Sequence, residues 1–174
     1  MSDLRYPIGP FAAPDRHTPE SRAGFIKDVE AAPAGLRAAV AGLTDEQLRH
    51  PYRDGGWSVA QVVHHVVDSH INCYVRFKLA ATEDNPPVKA YDEKRWAELP
   101  DATTTDLRMS LDILTALHAR WTQFLHALPP EGFARTFQHS VLGPVPLDRA
   151  LALYAWHGKH HIAHITALRR RQGW

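Results

Sequence analysis

The stretch Trp156-His157-Gly158-Lys159-His160-His161-Ile162-Ala163-His164 holds two pairs of histidines four residues apart, His157/His161 and His160/His164. On a helix, that spacing stacks two imidazoles on one face, close enough to share a cation. Imidazole is the commonest metal ligand in proteins and the usual proton carrier near neutral pH. The chain has 12 histidines, but position must decide, because a lone buried histidine is ordinarily a hydrogen-bonded core residue. At about 100° per residue, Leu147, Leu151, Tyr154, Ile165 and Leu168 centre an apolar face roughly 70° from His157. His161 falls at about +40°, His164 at about −20° and His160 at about −60°. His157 and His161 are therefore expected to point inward, with His164 near the edge and His160 on a flank.

A third ligand should come from the other histidine-rich stretch, with His64, His65 and His70. His65 shares a stripe with Gln61, Asp68, Ser69, Asn72 and Arg76 at helical spacing. Periodicity prefers it to His64 only slightly, and it places His70 in the apolar face as a core residue. Three imidazoles and an open water position describe a catalytic site for one divalent metal per chain, zinc first and nickel second. Asp68 and His164 are the candidate proton acceptors, and Asn72 and Arg76 the candidate substrate-binding groups. Cys73 lies on the apolar side of its helix, without an activating neighbour. Metal-assisted hydrolysis leads, although no His-Glu-x-x-His pattern supports cleavage of peptides. Metal-dependent transfer of a low-molecular-weight thiol is the second reading. A structural or sensing metal is the third, and it would require a fourth protein ligand from His64, His160 or His164.

Four amphipathic helices are expected to carry these groups. They span roughly 20–42, 58–82, 105–128 and 147–171, with Ser58 capping the second and Gly173 ending the fourth. Pro33 falls inside the first. Pro7, Pro10, Pro14 and Pro19 make residues 1–19 an extended arm, and 20–174 one helical domain. Connections at 43–57, 83–104 and 129–146 are long, as loops over a site often are, and 133–146 has the pattern of a short hairpin. The fold class is an all-α four-helix bundle. Twenty basic and nineteen acidic residues give no electrostatic reason for a nucleic acid or membrane partner. One cysteine, no apolar leader and no membrane-length apolar run point to the cytoplasm.

Several motifs resemble, in order, the YfiT-like branch of the DinB-like four-helix superfamily. They are Tyr52-Arg53-Asp54-Gly55-Gly56-Trp57-Ser58 leading to His65, Arg76-Phe77-Lys78-Leu79-Ala80, Tyr91-Asp92-Glu93-Lys94, and His157 through Ile165. The likeness runs from Tyr6 to Trp174. It implies His65, eight residues after Trp57, as the third ligand beside His157 and His161. It also implies an up-down-down-up bundle, a homodimer, a small-molecule substrate and metal-dependent hydrolysis, with transfer of bacillithiol, mycothiol or glutathione as the related chemistry. His164 departs from the glutamine often found three residues after the last ligand.

Overall fold

A computed structural model describes residues 3–174; the first two residues of the expected arm lie outside it. Seven helices are described: α1 (Pro19–Val40), α2 (Asp45–Arg49), α3 (Val59–Thr82), α4 (Glu93–Trp96), α5 (Pro100–Thr103), α6 (Arg108–Ala127) and α7 (Leu147–Gln172). The long ones, α1, α3, α6 and α7, form the expected four-helix bundle. Their starts follow local chemistry. Thr18 and Ser58 each cap a helix through a reciprocal box with the residue three positions on, Ser21 and Gln61. At the far end of α7, Gly173 adopts φ 71°, the left-handed stop that glycine takes without strain.

Side-chain pairings give the helix directions. Arg22 forks onto Asp148 at 2.7 Å for both bonds, Lys159 reaches Asp28 at 2.6 Å, and Arg169 bonds the carbonyls of Ala39 and Ala41. The numbers rise together, so α1 and α7 run parallel. Ser69 meets Tyr154 while His65 meets His161, so α3 runs against α7. Arg37 meets Asp112 and Val29 meets His118, so α6 runs against α1. His64 meets Ser110 and His70 meets His118, so α3 and α6 run together. This is the up-down-down-up order.

The connections hold more structure than periodicity alone predicts. The first contains α2. The second contains α4, α5 and strand β1 (Pro87–Val88), which pairs in parallel with β2 (Thr136–His139); β2 in turn forms an antiparallel hairpin with β3 (Gly143–Pro146). That hairpin lies within the expected 133–146.

The core is built in two apolar halves. One gathers Ile26, Val29, Phe77, Trp121, Leu125, Leu147 and Leu151; the other gathers Leu36, Val59, Val63, Val66, Leu111, Leu114, Ile165 and Leu168. Each long helix passes from one half to the other. Between them lies a polar layer, with Pro33 on α1, His65 and His70 on α3, His118 on α6 and His157 and His161 on α7. Buried polar groups in such a layer must be hydrogen-bonded or bind a ligand, because leaving one unpaired costs about 1–3 kcal/mol.

At this level α1 and α7 touch closely. A Cβ on Gly158 would stand 3.1 Å from the Cβ of Ala32, an atom fixed to the α1 backbone. Gly158→Leu is therefore expected to wedge the two helices apart and cost about 1–3 kcal/mol of stability. Gly158→Ala should be nearly neutral, because the gain in helix propensity of about 1 kcal/mol offsets the squeeze. Urea denaturation of both variants checks this; a leucine variant as stable as the parent would show that the contact is slack.

Candidate metal centre

His65 lies two turns into α3, beyond the Ser58 cap, with the Trp57 ring 4.6 Å away, centroid to centroid. His157 and His161 project from α7 one turn apart, their centroids separated by 4.5 Å. The three rings converge. His65 stands 5.4 Å from His157 and 4.9 Å from His161, and one ring nitrogen from each of the three falls within 4.8 Å of the others. Burial drives all three well toward the neutral form. For His65 the pKa falls to about 4, by loss of solvent and then by the nearby His164. Neutral imidazole is the protonation state that binds a metal.

The hydrogen bonds show which nitrogens remain free. Nδ1 of His157 pairs with Nε2 of His70 at 3.1 Å, and Nδ1 of His161 faces Nδ1 of His164 at 3.4 Å. Nε2 of both α7 residues, and both nitrogens of His65, have no hydrogen-bond partner among the described residues. Converging unspent lone pairs in a buried polar layer are what a divalent cation requires. The donor set therefore fits a metal, and three soft-borderline nitrogens match both zinc and nickel.

The other histidines have different work. His64 bonds Ser110 Oγ at 2.8 Å and the Thr104 carbonyl at 3.0 Å, turned away from the three rings. His70 is fully buried and hydrogen-bonded, as expected of a core residue. His160 stacks on Trp156 at 4.2 Å. It is buried, not on an open flank, because Tyr6 of the arm lies over that side. His164 is buried too: Nε2–H donates to the Arg5 carbonyl at 3.1 Å, and the Tyr52 ring lies 4.1 Å away. Among the described residues, the convergent group has three members and no fourth protein ligand.

Two cavities border the α7 ligands, one at His161 and one at His157. The larger, about 580 Å³, is bordered by His161, His164, Trp57, Tyr52 and Arg53, with Lys94 and Glu98 at its rim. The smaller, about 240 Å³, is bordered by His157, Ser69, Tyr154, Tyr91, Arg76 and His139. Glu93 borders both. Sequence reasoning missed Glu93 and His139 as site residues. Glu93 falls in the Tyr91-Asp92-Glu93-Lys94 motif, but nothing local gives it or His139 a place in the site; folding of the connections brings both in.

The predicted supporting residues divide. Arg76 reaches the small cavity, held by a bond to the Lys89 carbonyl at 3.1 Å. Asn72 does not line it; its amide donates back to the Asp68 carbonyl. Asp68 is half-buried, and burial followed by the charge of Asp101 raises its carboxyl pKa. It lines neither cavity. His164 borders the large one, but its two nitrogens are already turned to Arg5 and His161. Cys73 is buried in the core with its thiol pKa pushed up, so it is no nucleophile.

The sequence profile of the DinB superfamily matches residues 28–165. Relatives in Bacillus mycoides (strain KBAB4) and Bacillus cereus (strain 03BB102), named as candidate metal-dependent hydrolases, are each 51% identical over 174 residues, covering 100% of both chains. The solved structure of YfiT from Bacillus subtilis, described as a probable metal-dependent hydrolase with an unusual four-helix bundle topology, superposes with a TM-score of 0.95. It shares 49% identity, and the match covers 98% of each chain. A second solved four-helix bundle protein, 21% identical, aligns over 88% of this chain and 99% of its own with a TM-score of 0.58, a likeness of fold alone.

Proposed function

The chain belongs to the DinB superfamily, and on that premise we propose that it is a metal-dependent hydrolase of small molecules, holding one zinc or nickel ion on His65, His157 and His161. The observation that carries this reading is the convergence of three neutral imidazoles with unspent nitrogens beside two cavities. When bound, a divalent cation on three neutral ligands supplies Lewis-acid polarisation and lowers the pKa of water toward about 7.

The surrounding residues do the rest. In the small cavity, Nδ1 of His139 accepts from the backbone N–H groups of Val141 and Leu142 at 3.2 and 3.3 Å. Its Nε2 therefore carries the proton and is a donor. Together with Arg76, the hydroxyl of Tyr91 and the one proton that the bonded Ser69–Tyr154 hydroxyl pair leaves free, it makes a donor-rich wall suited to a carboxylate or a similar anionic group of the substrate. Glu93, common to both cavities, is the carboxylate positioned to take a proton; Asp68 and His164 are less well placed. The apolar side chains Ile71, Val75, Met109 and Ile113 stay exposed on α3 and α6, which supports the homodimer that belongs to the same proposal. Among the described residues, no helix is long and apolar enough to cross a membrane.

A second reading, metal-dependent transfer of a small thiol, is favoured by there being two separate cavities, one for each of two substrates. The test is hydrolysis of carboxylate-bearing esters and amides by protein stripped of metal and reloaded with zinc or nickel. Activity should require the metal, and Arg76→Ala should raise KM about tenfold for anionic substrates while sparing neutral ones. Turnover that appears only when a thiol is added would reassign the chain as a transferase. No turnover in either assay would overturn both readings.

A further inference from the structure

The polar layer contains a chain of imidazoles that starts at a helix defect and ends at the proposed metal. Pro33 sits inside α1, four residues after Val29. Proline has no N–H, so the helix cannot supply the hydrogen bond that would ordinarily reach the Val29 carbonyl. That carbonyl instead accepts from Nδ1–H of His118 on α6. Nε2 of His118 lies 2.8 Å from Nδ1 of His70, and Nε2 of His70 lies 3.1 Å from Nδ1 of His157. His70 and His118 are fully buried.

A carbonyl can only accept, and that fact propagates. His118 must carry its proton on Nδ1, so in the neutral ring Nε2 is a bare acceptor. His70 must then donate from Nδ1, leaving its own Nε2 bare. His157 must donate from Nδ1 in turn, which leaves its Nε2 lone pair unspent. From these contacts we infer that Pro33, His118 and His70 are positioning residues that set the tautomer of His157, so that its Nε2 is ready to bind metal before any metal arrives. The inference rests on the metal site proposed above. Metal-binding histidines generally depend on an acceptor at the second nitrogen; here the acceptor is relayed through two further imidazoles from a carbonyl that a proline has freed.

Histidine-labelled, metal-free protein tests this directly. Long-range 15N–1H correlation spectra report which nitrogen of each ring is protonated, and His118, His70 and His157 should all be protonated at Nδ1. Any one of the three protonated at Nε2 overturns the inference. The second arm is zinc affinity by chelator competition. His118→Leu removes the relay and should weaken zinc binding about 10- to 100-fold. In His118→Gln, the amide N–H can donate to Val29 and the amide oxygen can accept from His70, so affinity should stay near that of the parent. Leucine binding zinc like the parent, or glutamine as weak as leucine with the helical signal intact in both, would also overturn it. If the leucine variant does not fold, the spectra of the parent and the glutamine variant still decide. If the parent binds no zinc or nickel, the metal reading fails, yet the tautomers can still be read.

Discussion

His65→Ala is expected to lose zinc and nickel almost completely while keeping its fold, and His157→Ala is expected to lose both metal and stability. The first residue makes no hydrogen bond among the described residues, so its removal takes away one of three ligands and little else. The loss should exceed the roughly 10- to 100-fold seen when an outer partner of a ligand is removed. His157 has a second task, because His70 Nε2 is paired with its Nδ1 at 3.1 Å. Alanine there orphans a buried acceptor at a cost of about 1–3 kcal/mol. Metal content after dialysis, chelator competition and thermal melts of the stripped variants separate the two effects. Equal melting of the two stripped variants would mean that the relay contributes nothing to stability. Retention of one metal per chain by His65→Ala would remove α3 from the site and leave only an α7 pair.

The inward direction of His157 and His161 was legible because α7 presents a clear apolar face and helical geometry is regular enough to place side chains around it. The choice between His64 and His65 was not. Periodicity assumes that one side of α3 faces water, whereas His64 is buried against Ser110 and the Thr104 carbonyl, where the chain leads from α5 into α6. The resemblance to known relatives supplied what the pattern lacked. His160 and His164 mislead in the same way: angle alone puts them at a flank and an edge, but the arm covers them, through Tyr6 beside His160 and the Arg5 carbonyl on His164. Small strands and one-turn helices leave little periodic signal, so β1, α2, α4 and α5 were invisible, and with them the approach of Glu93 to the site. Pro33 was visible inside the first helix, but His118, which bonds the Val29 carbonyl that the proline frees, is distant in sequence and emerges only when α6 packs on α1.

Acid should unfold the metal-free protein steeply, with stability level above about pH 7 and falling continuously from near pH 6.5 to about pH 4. The cause is the polar layer and its neighbours. Burial lowers the pKa of His65, His118 and His160 from 6.5 to about 4, and drives His70, His157 and His161 well below the ordinary value. Because the folded pKa lies below the unfolded one, the unfolded chain binds more protons throughout that window. The stabilisation is therefore full above the unfolded value and is lost as pH falls through the folded one. A single deeply buried histidine shifted that far, His65 or His118, contributes about 3 kcal/mol. That is a large share of the stability of a typical domain, about 5–15 kcal/mol. Urea denaturation between pH 8 and pH 4.5 checks the window, and the slope of stability against pH counts the protons taken up on unfolding. A bound metal should deepen the stability at neutral pH in proportion to the logarithm of its concentration. It should also make the acid limb steeper, since protons compete for the same nitrogens. A flat profile from pH 7 to pH 5 in the stripped protein would mean that the layer accepts protons while folded, and so is wetter than its packing implies.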